Sequence, residues 1–237
     1  AVLPKAKAAP SVFLSPEQIQ LLLCRCSVSW LRLAIELSFV CTLRRGELLA
    51  LTWDDINWEQ NSLQISKTLC RVSKDALLML EDRDVLRIFP ADAHSRTALV
   101  LKSPKTESSN RVVYFPLSLK HSLFEWQNEQ KKSAIGGLPR LIFAYEDNRP
   151  LQGGVLAKHF QKLLEQCNLP KVTFHSLRHS SITYKLVLTG GDIKAVQGDS
   201  GHSQADMITE IYGHILDANR RKNTERFEEA FYQNCGT

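Results

Sequence analysis

The sequence predicts a mainly α-helical domain that carries one small antiparallel β-sheet, an α+β arrangement. Three observations carry that expectation. A capped apolar helix opens at Ser15-Pro16-Glu17-Gln18, apolar and polar residues alternate only between about 56 and 116, and apolar residues return to helical spacing from Pro116 onward.

The first helix has Ser15 at its cap, Pro16 at the first helical position and Gln18 placed to close a reciprocal capping box. Ile19, Leu22 and Leu23 mark its buried face. A second helix is expected over 29–42, with Leu33, Ile35, Leu37 and Val40 apolar, ending near Thr42-Leu43-Arg44-Arg45-Gly46. Glu47 to Leu51 reads as one more short helical turn. Leu63 and Ile65 then alternate with polar neighbours, as in a half-buried strand. Residues 98–102 and 111–115 read as two further strands, joined by a hairpin through the polar stretch 103–110. Residues 71–96 find no partner in this scheme and are taken as an insertion. Helices follow over 117–132, 153–167, 176–188, 192–199, 203–212 and 218–233. Gly190-Gly191 breaks the run, and Asp192 is placed to cap the next helix.

At 237 residues the chain can bury a full hydrophobic core, and its 43% hydrophobic and 23% charged content is that of a globular domain. The balance of 30 Lys and Arg against 25 Asp and Glu, a net +5, is compatible with a polyanionic partner without identifying one. The six cysteines have no metal-binding or redox C-x-x-C spacing, which suits a reduced, cytoplasmic setting. Arg32 and Glu36 interrupt the most apolar stretch, so no membrane span of about 18 residues is expected. The opening Ala-Val-Leu-Pro-Lys-Ala-Lys-Ala-Ala-Pro reads as a linker. The expectation is a fragment in which residues 1–14 lead from a missing N-terminal domain into a domain over 15–237.

The residues suited to chemistry form an ordered set. His175 and Arg178, at i and i+3 on the first turn of a helix, share one face. An imidazole beside a fixed guanidinium suits a phosphate whose charge grows during reaction. Taken alone, the pair is more often ordinary surface or core. His175 and His179 have the i, i+4 spacing of a zinc helix, but Ser176 stands where such a helix needs its general-base Glu. Arg44 at a helix end has an equally ordinary reading, as a cation neutralising the helix dipole. Lys105 lies in a turn, where a lysine is usually solvated but could instead protonate a leaving alkoxide. His202 follows Gly201, and Tyr212 lies ten residues further on. A phenol with a pKa near ~10 is a poor nucleophile unless cations and a base activate it.

In this order, Leu-Arg44-x-Gly-Glu, Pro-Lys105-Thr, His175-x-x-Arg178, Gly-His202 and Tyr212-Gly-His, the set resembles the catalytic domain of the tyrosine recombinases, the phage-integrase family. The resemblance runs from about Ser15 to Phe231, and its local wording is similar to integrases of bacterial conjugative transposons and prophages. It implies the tyrosine recombinase catalytic-domain fold and a site-specific DNA recombinase acting in the integration and excision of a mobile element. Arg44 and Arg178 would clamp the scissile phosphate, and Tyr212 would attack it to give a 3′-phosphotyrosine and a free 5′-hydroxyl. Lys105 would protonate the leaving oxygen, with His175 and His202 assisting proton transfer and phosphate binding.

The resemblance also implies that neither ATP, metal nor cofactor is required, because the covalent link would store the bond energy; no Walker A sequence or carboxylate cluster of two-metal nucleases stands in the chain. The implied partners are double-stranded DNA in the bacterial nucleoid, three further copies in a homotetramer on paired sites, and an accessory DNA-bending or excision protein. The isolated chain is expected to be monomeric, and the 218–233 helix to dock either on its own domain or on a neighbouring protomer. Two positions depart from the family pattern: Thr42 stands where glycine is common before Leu-Arg, and Ser200 where an apolar residue commonly precedes Gly-His. Two other readings stay open, a type IB topoisomerase-like enzyme that relaxes DNA and a DNA-binding module that does not cleave.

Overall fold

The computed structural model describes residues 13–79, 84–90, 95–104, 109–135, 137, 140–201 and 224–229. Helix α1 (Pro16–Arg25) begins as its sequence dictates. The Gln18 N–H donates to Ser15 Oγ at 3.3 Å, and the Ser15 N–H donates to Gln18 Oε1 at 2.9 Å. Helix α2 (Ser29–Val40) is apolar on most sides because other elements surround it. It buries Leu31, Leu33, Ala34, Ile35 and Leu37, and α1, α5 (Leu117–Ser133), α6 (Gly153–Gln166) and α7 (Ser176–Leu188) all pack on it. Burial of each such aliphatic side chain contributes about 1.5–3 kcal/mol before entropy is counted.

The β structure differs from expectation. Among the described residues two three-stranded antiparallel sheets form, not one. The first has the order β1-β2-β6, from Ile56–Asn57, Ser62–Ile65 and Arg111–Tyr114; the second has the order β3-β5-β4, from Thr68–Ser73, Thr97–Lys102 and Val85–Phe89. The expected hairpin between 98–102 and 111–115 is therefore corrected: β5 pairs with β3 and β4, while β6 pairs with β2. Residues 71–96 were without a partner only in sequence. Their described parts complete β3, form the short helix α4 (Lys74–Met79) and supply β4. An alternating strand pattern marks which face is buried but not which strand lies alongside, so the pairing of Ser73 with Thr97, or of Ile65 with Arg111, is not legible locally.

Helix α3 (Arg45–Ala50) packs against β3, and α8 (Ile193–Ser200) packs against α7 and β6. Asp192 caps α8 as expected, its Oδ1 accepting from the Ala195 N–H at 2.9 Å, and Gly201 closes it in the left-handed conformation, φ 62°. Of the expected 218–233 helix, residues 224–229 are described; they are helical and exposed, Phe227 included. The expected 203–212 helix lies outside the described residues. Among the described residues no helix is long and apolar enough to cross a membrane.

Candidate active site

Of the six residues expected to carry chemistry, Arg44, His175 and Arg178 are described; Lys105, His202 and Tyr212 lie outside the described residues. Helix α2 stops at Val40, and Thr42 turns the chain at φ 55°. That left-handed conformation is one glycine adopts freely and a β-branched residue resists. Here the Thr42 hydroxyl meets Ser181 Oγ of α7 at 2.8 Å, a buried bond that holds the strained turn in place.

The turn corrects the helix-end reading of Arg44. The residue is the N-cap of α3, not the last turn of α2, so the helix dipole opposes its charge. Glu47 supplies the compensation. Its Oε2 accepts the Arg44 main-chain N–H at 2.9 Å, and its Oε1 accepts Arg44 Nη1 at 2.7 Å. The Arg44 side chain remains about one-third exposed, and its Nη2 donates to the Gly201 carbonyl at 3.1 Å.

His175 and Arg178 sit at the start of α7, as the spacing predicts, but their environments differ. Arg178 is 2% exposed, and its guanidinium donates to the Thr42 carbonyl at 2.6 Å and the Ser200 carbonyl at 2.7 Å. Charge-assisted bonds of this kind contribute about 1.5–3 kcal/mol each and leave the group little rotational freedom. The two positions that depart from the family pattern thus provide the two acceptors. Because those acceptors are main-chain carbonyls, a changed side chain alters the packing around Arg178 without removing its partners.

His175 is the N-cap of α7 and presents part of its ring to solvent. Desolvation of the rest, followed by the charges of His179, Arg178, Arg44 and Arg45, lowers its pKa from 6.5 to about 4. His175 is therefore neutral near pH 7. Its ring meets His179 edge-on at 5.0 Å, and His179 is lowered in the same direction by burial and Arg178. An open cavity of about 490 Å³ lies alongside, with Arg45, Gln161, Thr173 and His175 on its wall.

Arg44 and Arg178 thus meet on one turn. They grip the consecutive carbonyls of Gly201 and Ser200, immediately before His202 in the chain. This brings together residues separated by up to 157 positions.

Sequence reasoning missed three supporting residues: Glu47 as the counter-charge of Arg44, Thr42 as the positive-φ hinge, and Arg111. The last was legible in part, since a strand reading Arg-Val-Val-Tyr whose Val113 faces the core places Arg111 on the same inward face. An arginine pointing inward demands a buried acceptor. Of the other tyrosines, Tyr184 stacks on Phe39 at 5.9 Å, while Tyr114 stands exposed on β6.

A model of the phage integrase family matches residues 12–219. The chain is 28% identical over 203 residues to a protein named tyrosine recombinase XerC-like from Caldanaerobacter subterraneus subsp. tengcongensis, covering 82% of this chain and 48% of that protein. It is 24% identical over 207 residues to the integrase of Staphylococcus phage L54a, covering 84% of this chain and 52% of that protein. The chain spans about half the length of the curated relatives it matches. Among solved structures, the Tn1549 transposon integrase in complex with a circular intermediate DNA superposes with a TM-score of 0.72 at 23% identity, over 94% of this chain and 68% of that one. At that identity the likeness establishes a shared fold.

Proposed function

The chain belongs to the phage integrase family, and from that premise we propose that it is the catalytic domain of a site-specific DNA recombinase serving a mobile element. The observation that carries the proposal is the convergence of Arg44, Arg178 and His175 around the turn that leads into His202.

In this reading residues 15–237 form the catalytic domain and act on double-stranded DNA. Tyr212 Oη attacks the scissile phosphorus. The bond from phosphorus to the 5′ oxygen breaks, and a 3′-phosphotyrosine and a free 5′-hydroxyl form. His175, neutral near pH 7, assists transfer of the phenolic proton together with His202, its basicity raised once an anionic phosphate lies beside it. Lys105 delivers a proton to the 5′ oxygen. Arg44 and Arg178 offset the charge that grows on the non-bridging oxygens, and their fixed orientation means that little reorganisation accompanies the reaction. Rejoining is the same step reversed with a different 5′-hydroxyl, so the phosphodiester energy is conserved.

Four copies on two paired sites would perform the exchange, with the isolated chain monomeric, the C-terminal helix docking on its own domain or on a neighbouring copy, and a DNA-bending or excision protein assisting. Support for a DNA-facing surface comes from the cavity beside His175, whose wall carries Arg45.

The test is a nicked half-site duplex, from which the short cleaved strand diffuses away and traps the intermediate. A covalent protein–DNA adduct is expected, insensitive to EDTA and abolished by Tyr212→Phe. Adduct that survives this substitution overturns the nucleophile assignment. Relaxation of a supercoiled plasmid without strand exchange between paired sites would instead identify a topoisomerase.

A further inference from the structure

Arg111 is a buried cation to which the proposed reaction assigns no task. It opens β6 opposite Ile65 of β2, on the inward face of the sheet, and its side chain is 6% exposed. Its guanidinium grips Glu47 through two bonds, Nη2 to Oε2 at 3.0 Å and Nη1 to Oε1 at 3.2 Å. Its Nε donates to the Asp199 carbonyl at 2.8 Å, near the end of α8, and Nη1 also reaches the Ser109 carbonyl at 3.4 Å. Asp199 is tied in turn to Lys185 of α7 by a 2.5 Å ion pair.

We propose that Arg111 is a positioning residue for strand cleavage, acting through Glu47 to orient and electrostatically free Arg44, and through Asp199 to fix the turn that both arginines grip. The inference rests on the recombinase reading.

Two physical arguments support it. The first is geometric. Glu47 faces Arg44 on one side and Arg111 on the other, both carboxylate oxygens being shared. With the Arg111 fork in place the carboxylate plane is pinned, and the Arg44 guanidinium, the more exposed partner, is held in one orientation between Glu47 Oε1 and the Gly201 carbonyl. The second concerns charge. One buried carboxylate between two guanidinium groups leaves a net positive charge, and it is expressed at Arg44, the group that reaches solvent. Without Arg111 the carboxylate would neutralise Arg44 alone and compete with a phosphate for it. Lysine at 111 keeps the charge but lacks the fork, so it cannot hold both Glu47 oxygens and the Asp199 carbonyl together.

The experiment uses the full chain and a nicked half-site duplex selected by the wild-type protein from a randomised pool. DNA affinity and the single-turnover rate of adduct formation are measured for wild type, Arg111→Lys, Arg44→Lys and the double variant. Arg111→Lys is expected to slow adduct formation about 10²-fold while changing the Kd by less than about threefold, the signature of a reacting group displaced without loss of binding. In the Arg44→Lys background the same substitution should have little further effect. Equal losses in both backgrounds, or an unchanged rate, overturn the inference. If Arg111→Lys melts below the assay temperature, Glu47→Asp carries the same test, because the shorter carboxylate keeps the charge but cannot reach Arg44 and Arg111 together; a normal rate in that variant is equally refuting. A wild-type chain that binds the selected duplex yet forms no adduct overturns the recombinase reading itself, so the two failures are distinguishable.

Discussion

Replacing Gly46 by alanine tests whether the glycine of the Arg-x-Gly-Glu motif is there for space or for conformation. Gly46 lies inside α3 and is not among the glycines with positive φ, so backbone freedom is not the requirement. A Cβ at this position would stand 2.4 Å from Thr68 Oγ1 and 3.1 Å from the Leu69 carbonyl oxygen of β3. The first distance is impossible without movement, and Thr68, β-branched and fixed in a strand, has little rotamer freedom with which to yield. Overpacking of this kind costs about 1–3 kcal/mol, while alanine gains about 1 kcal/mol over glycine in a helix. The net expectation is a destabilisation of about 1 kcal/mol, or about 2–4 °C for a chain of this size. In a Thr68→Ala background the closest clash is gone and the helix gain remains, so Gly46→Ala should become neutral or stabilising, a coupling of about 1–2 kcal/mol. Urea unfolding of the four proteins measures it. An equal effect of Gly46→Ala in both backgrounds would refute the reasoning. Adduct formation should follow the same pattern, falling in the single variant and recovering in the double, because Arg44 and Glu47 ride on the helix that the clash displaces.

Other expectations follow from the same geometry. Thr42→Ala removes the buried bond to Ser181 while keeping a side chain at φ 55°, and should cost about 1–2 kcal/mol in denaturant unfolding; Thr42→Ser should restore most of it. Arg44→Lys should cut cleavage sharply with DNA affinity largely retained, because one ammonium cannot hold Glu47 and the Gly201 carbonyl while also clamping a phosphate; equal losses in binding and cleavage would assign Arg44 to binding. His175 has a folded-state pKa of about 4 against an ordinary 6.5, so the unfolded chain takes up more protons between those values and stability falls as the pH drops through that window. His179 contributes in the same sense, and the urea midpoint of His175→Gln should therefore change less between pH 7 and pH 5 than that of wild type.

Much of the site was legible because its signals are local. Ser15 and Gln18 announce a helix start through hydrogen bonds that span three residues, and Asp192 does the same for α8. Arg178 on the first turn of α7 was placed by its spacing from His175. The failures share a different cause. Arg44 looks like a helix end because nothing in Thr42-Leu43-Arg44 reveals that Thr42 adopts a positive φ; the partner that holds it there, Ser181, lies 139 residues away. Residues 71–96 look unpartnered in the sequence because strand pairing is settled by which edges meet, and β3, β4 and β5 meet only after the chain has folded back.

By itself the sequence determined which residues are of a type suited to phosphoryl chemistry and in what order they occur, since residue type, helix caps and spacing are properties of short segments. Only the tertiary structure decided how the two arginines are held. Their partners are carbonyls at Thr42, Ser200 and Gly201 and a carboxylate at Glu47 shared with Arg111. A main-chain carbonyl belongs to every residue alike, so it leaves no mark in a sequence. It acquires a role only when packing carries a distant guanidinium to it and excludes the water that would otherwise take its place.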